Sequence, residues 1–527
     1  MKSQLRRNWV LPQTWLRFVF IILLVLGVFF RFVNLDRKTY WGDEVHTSLR
    51  ISGYTLAEMS QELRNGRVVS INNLQKYQYT TPKKSAVDTI NSLALEDSQH
   101  VPLYYVMARF WVQWFGNSVA VTRSFSAFIS LLTFPLLYWL CKELFESSLI
   151  GWIAVALIAV SPFHVLYAQE ARPYSLYVVT ILLSSVALQR AMRVKTNVSW
   201  VIYSTTVSLG FYTQLFFGLV AIGHGIYLAV MERFRLSKTL VSYLIASLAG
   251  LLTFMPWIFV IINAPAKFDA QNWMNTKSSL LSSSTRWAGI ISRAFLDLGF
   301  GPDDSLKQLI PLIPFILTLL ALIIYSIYFL CRHSSKRAWL FVLTLIGLTG
   351  LAFMLPDFVL GRRYATTRFL TPCILGIQLS IVYLLASKTT SLSVSNQRQK
   401  LWQIVAALLV SGGVISCAIS SQAESWWNKA PADNKYNSHI AYLVNQATQP
   451  LLIKDGDLIP LYTLSYLLEP KVKFQLVAES DIPEIPEGFS EVFLLKPSES
   501  LRSGLERKYK LHRELIDGSL WKLEDRE

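Results

Sequence analysis

Long apolar runs alternate with short polar turns along most of the chain. A helix needs about 20 apolar residues to cross a bilayer, and the sequence supplies such runs repeatedly. We predict about eleven transmembrane helices, at roughly 15–33, 119–141, 151–168, 173–192, 199–214, 215–231, 240–262, 307–331, 338–356, 367–387 and 401–420. The pattern therefore predicts an all-α polytopic membrane protein.

Two segments depart from this pattern. The apolar run 101–116 is short and carries Arg109 and Gln113 in its middle, which predicts an interfacial or re-entrant helix. After about residue 420, the short runs "PLLIKDG", "KVKFQLV" and "EVFLLK" predict strands, with amphipathic helices at Ile440–Gln446 and Leu461–Leu468 between them. We therefore predict two domains. They are a transmembrane domain at 1–420, with a first external loop at about 34–100, and a small soluble α/β domain at 421–527.

The composition agrees with a membrane protein and argues against nucleic-acid binding. Of 527 residues, 52% are hydrophobic and 16% are charged, and the formal net charge is +16. Residues 421–527 contain 13 Lys+Arg and 17 Asp+Glu (13 − 17 = −4), so the rest carries +16 − (−4) = +20. This excess lies largely in short turns between apolar runs, as cytoplasmic loops require.

The basic residues also predict the orientation. Arg6, Arg7 and Arg17 accompany the first run and place the N-terminus in the cytoplasm. An odd number of spans then places the C-terminal domain outside. Basic cytoplasmic turns follow at Arg190/Arg193/Lys195, Arg233/Arg235/Lys238, Arg332/Lys336/Arg337 and Arg398/Lys400. The predicted external segments contain no Asn-x-Ser/Thr sequence, which favours a bacterial inner membrane.

Polar residues collect at the predicted external ends of several spans. They occur in "YWGDEVHT", "HVPLYY", "SPFHVLYAQEARPYSLY" and "GRRYATTRFLTP". Ionisable groups near membrane depth are costly and usually face a cavity or a partner, so the set predicts a functional site. The alternative for each residue is an interfacial side chain whose polar end reaches water. The candidates are Asp43, Glu44, His100, Tyr104, Gln169, Glu170, Arg172, Arg362, Arg363 and Arg368.

"WGDEVHT", "HVPLYY", "QEARPY" and "RFLTP", in this order, resemble glycosyltransferase family 39 and the ArnT-like group of GT-C fold. The resemblance covers about residues 1–390. It implies an integral-membrane enzyme that transfers a sugar from a polyprenyl-phosphate carrier. The acceptor, which is a lipid, a glycan or a protein, is modified on the outer face of the membrane.

The resemblance also implies roles for individual residues. Asp43 matches the acid that serves as catalytic base, and Glu44 is its neighbour in the same motif. Glu170 and Arg172 match the second acidic motif, and Arg368 matches the arginine that faces the carrier phosphate. Arg362 and Arg363 are expected to assist Arg368, with His100, Tyr104 and Gln169 in the substrate site.

The sequence departs from the family pattern at two positions. Val101 replaces the first proline of the family's His-Pro-Pro-Leu element. Gln214 stands where relatives often have a histidine, and this second departure puts a metal site in doubt. His100 and His224 by themselves do not form a ligand set, so no cofactor is assigned and a divalent metal stays open. The four cysteines lie in or near apolar spans and show neither a disulfide framework nor zinc-type spacing.

The residue types suit this chemistry. A hydroxyl or amine acceptor loses a proton as it attacks the anomeric carbon, and a carboxylate can take that proton. Arginine holds phosphate through paired hydrogen bonds. Trp41, Tyr104 and Tyr105 either stack on sugar and line the lipid groove, or belong to the aromatic belt of the membrane interface.

Two other functions compete with this one. A transporter or flippase of lipid-linked sugars would favour ionisable groups near the midplane and internal repeats, and the sequence shows neither pattern. A non-catalytic sensor would not need Asp43, Glu170 and Arg368 together.

Overall fold

The computed structural model describes residues 14–264, 276–301, 310–390, 396–430, 434–479, 481–509, 511–516 and 518–523. Most of them are helical. The helices are α1 Thr14–Phe32, α2 Gly42–Ser52, α3 Leu56–Leu63, α4 Ile71–Gln75, α5 Ala86–Glu96, α6 Leu103–Phe115, α7 Val119–Ser130, α8 Thr133–Phe145, α9 Ser148–Ala159, α10 Pro162–Ala168, α11 Tyr174–Val194, α12 Asn197–Phe211, α13 Phe217–Met231, α14 Lys238–Leu252, α15 Met255–Asn263, α16 Leu280–Ser292, α17 Ile313–His333, α18 Lys336–Val359, α19 Thr371–Thr390, α20 Asn396–Gln422, α21 Asn437–Gln446, α22 Ile459–Ser465 and α23 Glu499–Lys508.

Six strands complete the fold. They are β1 Val68–Ser70, β2 Pro450–Lys454, β3 Lys473–Leu476, β4 Glu491–Leu495, β5 Leu511–Ile516 and β6 Leu520–Leu523. The chain divides into two compact units. The membrane unit comprises Met1–Leu35, Ser98–Tyr104 and Arg123–Gln422, and the loop–tail unit comprises Asp36–Asp97, Tyr105–Thr122 and Ala423–Glu527. The first loop, at about 34–100, and the C-terminal tail therefore fold together, although they are far apart in the sequence.

Six segments of the described residues are long and apolar enough to cross a membrane. They are Val119–Phe145, Tyr174–Val194, Ile310–His333, Lys336–Val359, Thr371–Thr389 and Asn396–Gln422. Two bent helix pairs bring the number to eight if each pair is one span. These pairs occupy the runs 151–168 and 240–262, where the sequence pattern predicted single continuous helices.

The first bend lies between α9 and α10, where the helix axis turns by 60°. Pro162 follows it directly and has no N–H to donate, so the helical ladder is interrupted there. Arg31, which is buried at 1% exposure, donates to the carbonyls of Ile158 and Ala159 at 3.3 and 2.6 Å. A Cβ on Gly27 would lie 2.6 Å from the Ala159 carbonyl oxygen, so a glycine lets α1 approach the break.

The second bend, of 51°, lies between α14 and α15. Pro256 stands in the first turn of α15 and cannot continue the hydrogen-bond ladder of the preceding helix. The hydroxyl of Tyr212 donates to the carbonyl of Thr253 at 2.8 Å, which satisfies one of the acceptors released by the break. Both bends therefore have a proline at the break and a side chain that supplies a replacement donor.

The sheet of the loop–tail unit has the strand order β1-β3-β2-β4-β6-β5. The three central strands β3, β2 and β4 are parallel, and β1 and β6 pair antiparallel with β3 and β4. The three tail runs predicted as strands lie in β2, β3 and β4. The outer strand β1 comes from the first external loop, where Val69 pairs with Phe474 of the tail.

Helix α6 contains the short apolar run with Arg109 in its middle. The guanidinium of Arg109 is fully buried and donates to the carbonyls of Ile51 and Lys84, at 2.7 Å for Ile51. Arg109, the polar residue in the middle of the run, thus binds two carbonyls of the first loop in the interior of the loop–tail unit. The opposite side of the helix exposes apolar side chains, namely Met107, Phe110, Trp114 and Phe115.

Candidate functional site

The structure divides the predicted site residues between the two units. Asp43 and Glu44 belong to the loop–tail unit. The others belong to the membrane unit, and they are His100, Tyr104, Gln169, Glu170, Arg172, Arg362, Arg363 and Arg368.

The two carboxylates of the first motif lie in the first turn of α2. Acidic groups are favourable there because the unpaired N–H groups at a helix start carry partial positive charge. The hydroxyl of Thr47 donates to the carbonyl of Asp43 at 2.9 Å and extends this turn. The two neighbours differ in burial, since Asp43 is partly exposed whereas Glu44 is fully buried.

Glu44 forms a buried ion pair with a lysine of the tail. Its carboxylate accepts a hydrogen bond from Lys429 Nζ at 2.9 Å, and the two side chains are 0% and 1% exposed. The ammonium group also lies 5.9 Å from the centre of the Trp41 ring. Sequence analysis missed Lys429, because nothing in the tail sequence connects that lysine with the first loop.

In the membrane unit, His100 and Arg172 are hydrogen-bonded. The Arg172 guanidinium nitrogen Nη2 lies 2.7 Å from His100 Nε2. A guanidinium can only donate, so the histidine nitrogen is the acceptor of this bond. The "HVPLYY" element and the "QEARPY" motif therefore meet in the structure, as their common side of the membrane predicts.

Tyr174 connects the second acidic motif with the arginine-rich loop. The guanidinium carbons of Arg172 and Arg368 lie 5.9 and 5.8 Å from the centre of its ring. Each distance is within the range of a cation–π interaction. Two guanidinium groups gathered at one aromatic ring form a positive site, and phosphate is a preferred ligand of such groups.

Gln169 and Tyr104 make internal contacts. The Gln169 amide donates to the carbonyls of Phe30 and Val33, at 2.8 and 2.9 Å, and so caps the end of α1. The Tyr104 hydroxyl is 2.8 Å from Ser126 Oγ, which in turn donates to the Arg172 carbonyl at 3.2 Å. Both residues are buried, and these bonds hold the turn that carries Arg172.

Asp357, near the end of α18, organises the arginine-rich loop, and sequence analysis missed it. One carboxylate oxygen accepts the backbone N–H groups of Tyr364 and Ala365, at 2.6 and 3.1 Å. The other accepts from Trp287 Nε1 at 2.9 Å and from Arg286 at 3.2 Å. The carboxylate is fully buried. A single aspartate in an apolar run gave no signal, since its partners Arg286 and Trp287 lie 71 and 70 positions earlier in the chain.

Arg286, on α16, adds to the positive charge of this region. Burial lowers the pKa of its guanidinium, the Asp357 carboxylate raises that pKa, and the nearby Arg363 charge lowers it further. The Asp357 carboxylate therefore partly offsets the positive charge of Arg286 and of the arginines in the loop.

Substitution of Asp357 tests this arrangement. Asp357→Ala should raise the KM for the lipid-linked donor about 10- to 100-fold, because hydrogen bonds to charged groups contribute about 1.5–3 kcal/mol. Asp357→Asn should lose less, since its remaining oxygen still accepts from Tyr364 and Ala365. The measurement is donor KM in a transfer assay with purified protein. Wild-type KM in both variants would show that the loop does not depend on Asp357.

The structure shows no metal-ligand cluster in its described ranges. No group of three or more His, Cys, Asp or Glu side chains lies close enough to hold a metal ion there. The two histidines considered in the sequence have other contacts, as His100 faces Arg172 and His224 Nδ1 lies 3.1 Å from the Tyr203 hydroxyl.

Comparisons with known proteins agree with the motif resemblance. Residues 99–259 match the family model of dolichyl-phosphate-mannose-protein mannosyltransferase. The fold is similar to that of ArnT from Cupriavidus metallidurans, solved with undecaprenyl phosphate and in the apo state. In both cases the identity is 13% and the TM-score is 0.51. The fold of this chain is therefore that of ArnT, and residues 99–259 are similar to the mannosyltransferase family.

The similarity to ArnT extends over nearly the whole chain. It covers 97% of this chain, with 98% of the lipid-bound and 97% of the apo ArnT chain. The oligosaccharyltransferase of Archaeoglobus fulgidus is also similar, at 13% identity and a TM-score of 0.49. That match covers 88% of this chain and 65% of the archaeal one. A search of characterised protein sequences gave no match.

Proposed function

We propose that this glycosyltransferase moves a sugar from a polyprenyl-phosphate carrier to an acceptor at the outer face of the membrane. Asp43 takes the proton of the acceptor, and Arg368 holds the phosphate of the carrier. The observation that carries this proposal is the pair of guanidinium groups, from Arg172 and Arg368, at the ring of Tyr174. The crystal structure of ArnT with undecaprenyl phosphate supports the choice of ligand.

The three candidate carboxylates suit different tasks. Asp43 is partly exposed in a helical first turn, where an acceptor hydroxyl or amine can approach it. Glu44 is engaged by Lys429 and is therefore poorly placed to exchange protons with an acceptor. Glu170 is 1% exposed and precedes Arg172 by two residues, so we assign it to balancing charge near the phosphate site.

The leaving group determines what the arginines must do. Cleavage of the sugar–phosphate bond develops negative charge on the carrier phosphate, and guanidinium groups stabilise that charge in the transition state. The His100 ring accepts one hydrogen bond from Arg172 and so orients its fork. Attack from the face opposite the phosphate would invert the anomeric configuration, by analogy with inverting glycosidases.

We also propose an orientation and a location for the enzyme. The basic turns that follow α11, α13 and α17 support a cytoplasmic position for those helix ends, and so for the N-terminus. The loop–tail unit then lies outside. A bacterial inner membrane agrees with the external segments having no Asn-x-Ser/Thr sequence.

The test of the proposal is turnover of the donor. Purified protein in lipid nanodiscs is incubated with a panel of polyprenyl-phosphate sugars, each with candidate acceptors, and release of polyprenyl phosphate is measured. We expect acceptor-dependent release with at least one donor. Movement of a labelled donor across liposome membranes without release of polyprenyl phosphate would replace the proposal with a flippase.

A further inference from the structure

The tail contacts the catalytic motif at several points within the loop–tail unit. The segment before the motif is attached to the tail by Thr39, whose N–H and hydroxyl both donate to the Glu424 carbonyl, at 2.8 and 3.0 Å. The motif itself is attached by the Glu44–Lys429 ion pair, at 2.9 Å. Tail residues 424–429 therefore contact both the approach to α2 and its first turn.

Lys429 is held in place before it meets Glu44. Its N–H donates to the Trp426 carbonyl at 2.9 Å, and its own carbonyl accepts from the Asn434 amide, also at 2.9 Å. Asn437 donates to Asn434 at 3.0 Å and fixes the orientation of that amide. The backbone around Lys429 is thus defined by bonds that do not involve Glu44, so the lysine side chain starts from a fixed point near the first turn of α2.

The burial of the pair makes it sensitive to the loss of either partner. A buried carboxylate without a cation is strongly unfavourable, and it either moves towards water or takes up a proton. Glu44 lies in the first turn of α2 beside Asp43, so such a movement would displace Asp43 as well. A misplacement of about 1 Å in a reacting group can lower a rate about 100-fold.

We propose that Lys429 is a positioning residue for the catalytic base. Its ion pair with Glu44 fixes the first turn of α2 and thereby the direction of the Asp43 carboxylate. This inference rests on the proposed role of Asp43. It assigns a task to the start of the tail, and it makes Glu44 the partner of Lys429 instead of a second proton acceptor.

Paired substitutions in the full-length enzyme test this proposal. Lys429→Met and Glu44→Leu each remove one partner and leave the other buried, and each should lower kcat about 10- to 100-fold. The double variant replaces the ion pair with two apolar side chains of similar size, a change that proteins often tolerate. It should recover kcat to within about threefold of wild type. A catalytic Glu44 would instead leave the double variant as slow as Glu44→Leu.

Donor binding separates positioning from loss of folded protein. Titration of each variant with the donor gives the number of binding sites, and kcat is expressed per site. We expect one donor site per chain and a donor KM within about twofold of wild type, since the arginines of the membrane unit are unchanged. If kcat per site in Lys429→Met equals wild type, the inference is wrong.

Two further variants complete the experiment. Lys429→Arg keeps a cation facing Glu44 and should retain most activity, which gives a folded comparison if Lys429→Met does not insert. Lys435→Met alters an exposed lysine of the same tail segment and should have no effect. Loss of rate in Asp43→Asn with full rate in Lys429→Met would refute this inference alone. Full rate in Asp43→Asn would refute the proposed role of Asp43, on which this inference rests.

Discussion

Asp43→Asn is expected to lower the rate of sugar transfer about 10²–10⁴-fold, the usual contribution of a positioned general base. Asparagine has nearly the same shape but cannot take the proton of the acceptor at neutral pH. Asp43 is partly exposed, so the change should cost little stability. The measurement is kcat per donor-binding site with a verified donor and acceptor, together with donor affinity, which we expect to stay at the wild-type value.

The matched control is Asp36→Asn, the same chemical change at an exposed position shortly before the motif. It should leave kcat and donor affinity unchanged. If Asp43→Asn transfers sugar at the wild-type rate, then Asp43 is not the base. If the double variant of Glu44 and Lys429 is also fully active, neither carboxylate of the first motif takes part in the chemistry.

Arg368→Lys is expected to raise the KM for the donor about 10- to 100-fold, because the planar fork is lost although the charge is kept. Lysine presents a single ammonium group, which cannot form two parallel bonds to phosphate oxygens. The loss of stabilisation should also appear in kcat, since negative charge on the phosphate grows as the sugar leaves. Both constants are measured with a donor of fixed polyprenyl length.

A control for Arg368→Lys lies in the last turn of α11, the helix that begins with Tyr174. Arg193 is exposed and pairs with Glu143 at 2.8 Å, so Arg193→Lys should change neither KM nor kcat. A wild-type donor KM in Arg368→Lys would remove this arginine from the phosphate site. Tyr174→Leu then becomes the informative variant, because it removes the ring that Arg172 and Arg368 share.

The membrane character and part of the tail follow from the sequence pattern. Apolar length predicts spans because lipid offers no hydrogen bonds to the backbone, so long apolar runs must be helical. The tail strands β2, β3 and β4 each have an apolar core bounded by polar or turn residues, and they lie where the three runs were noted. The motifs also predicted which polar residues to examine, and His100, Tyr104, Gln169, Glu170 and Arg172 lie within the family match over 99–259.

Interruptions of the pattern were harder to interpret. The proline positions predict local breaks in the helices. The 60° and 51° bends also involve side chains that donate to the carbonyls left without a backbone donor. Of those side chains, Arg31 lies in α1 and Tyr212 directly follows α12. Arg109 suggested an interfacial helix, and the structure shows in addition that its charge is buried against loop carbonyls.

Only the tertiary structure separates Asp43 from Glu44. Adjacent residues on a helix point in different directions, so one carboxylate is partly exposed whereas its neighbour meets Lys429, 385 positions away. The pairing of β1 with β3 and the bonds from Arg286 and Trp287 to Asp357 likewise join distant segments. The local sequence determines the hydrophobic periodicity, the positions of the helix breaks and the chemistry of each side chain. Which buried charge finds which partner depends on contacts between segments far apart in the chain, because desolvation makes an unpaired charge too costly.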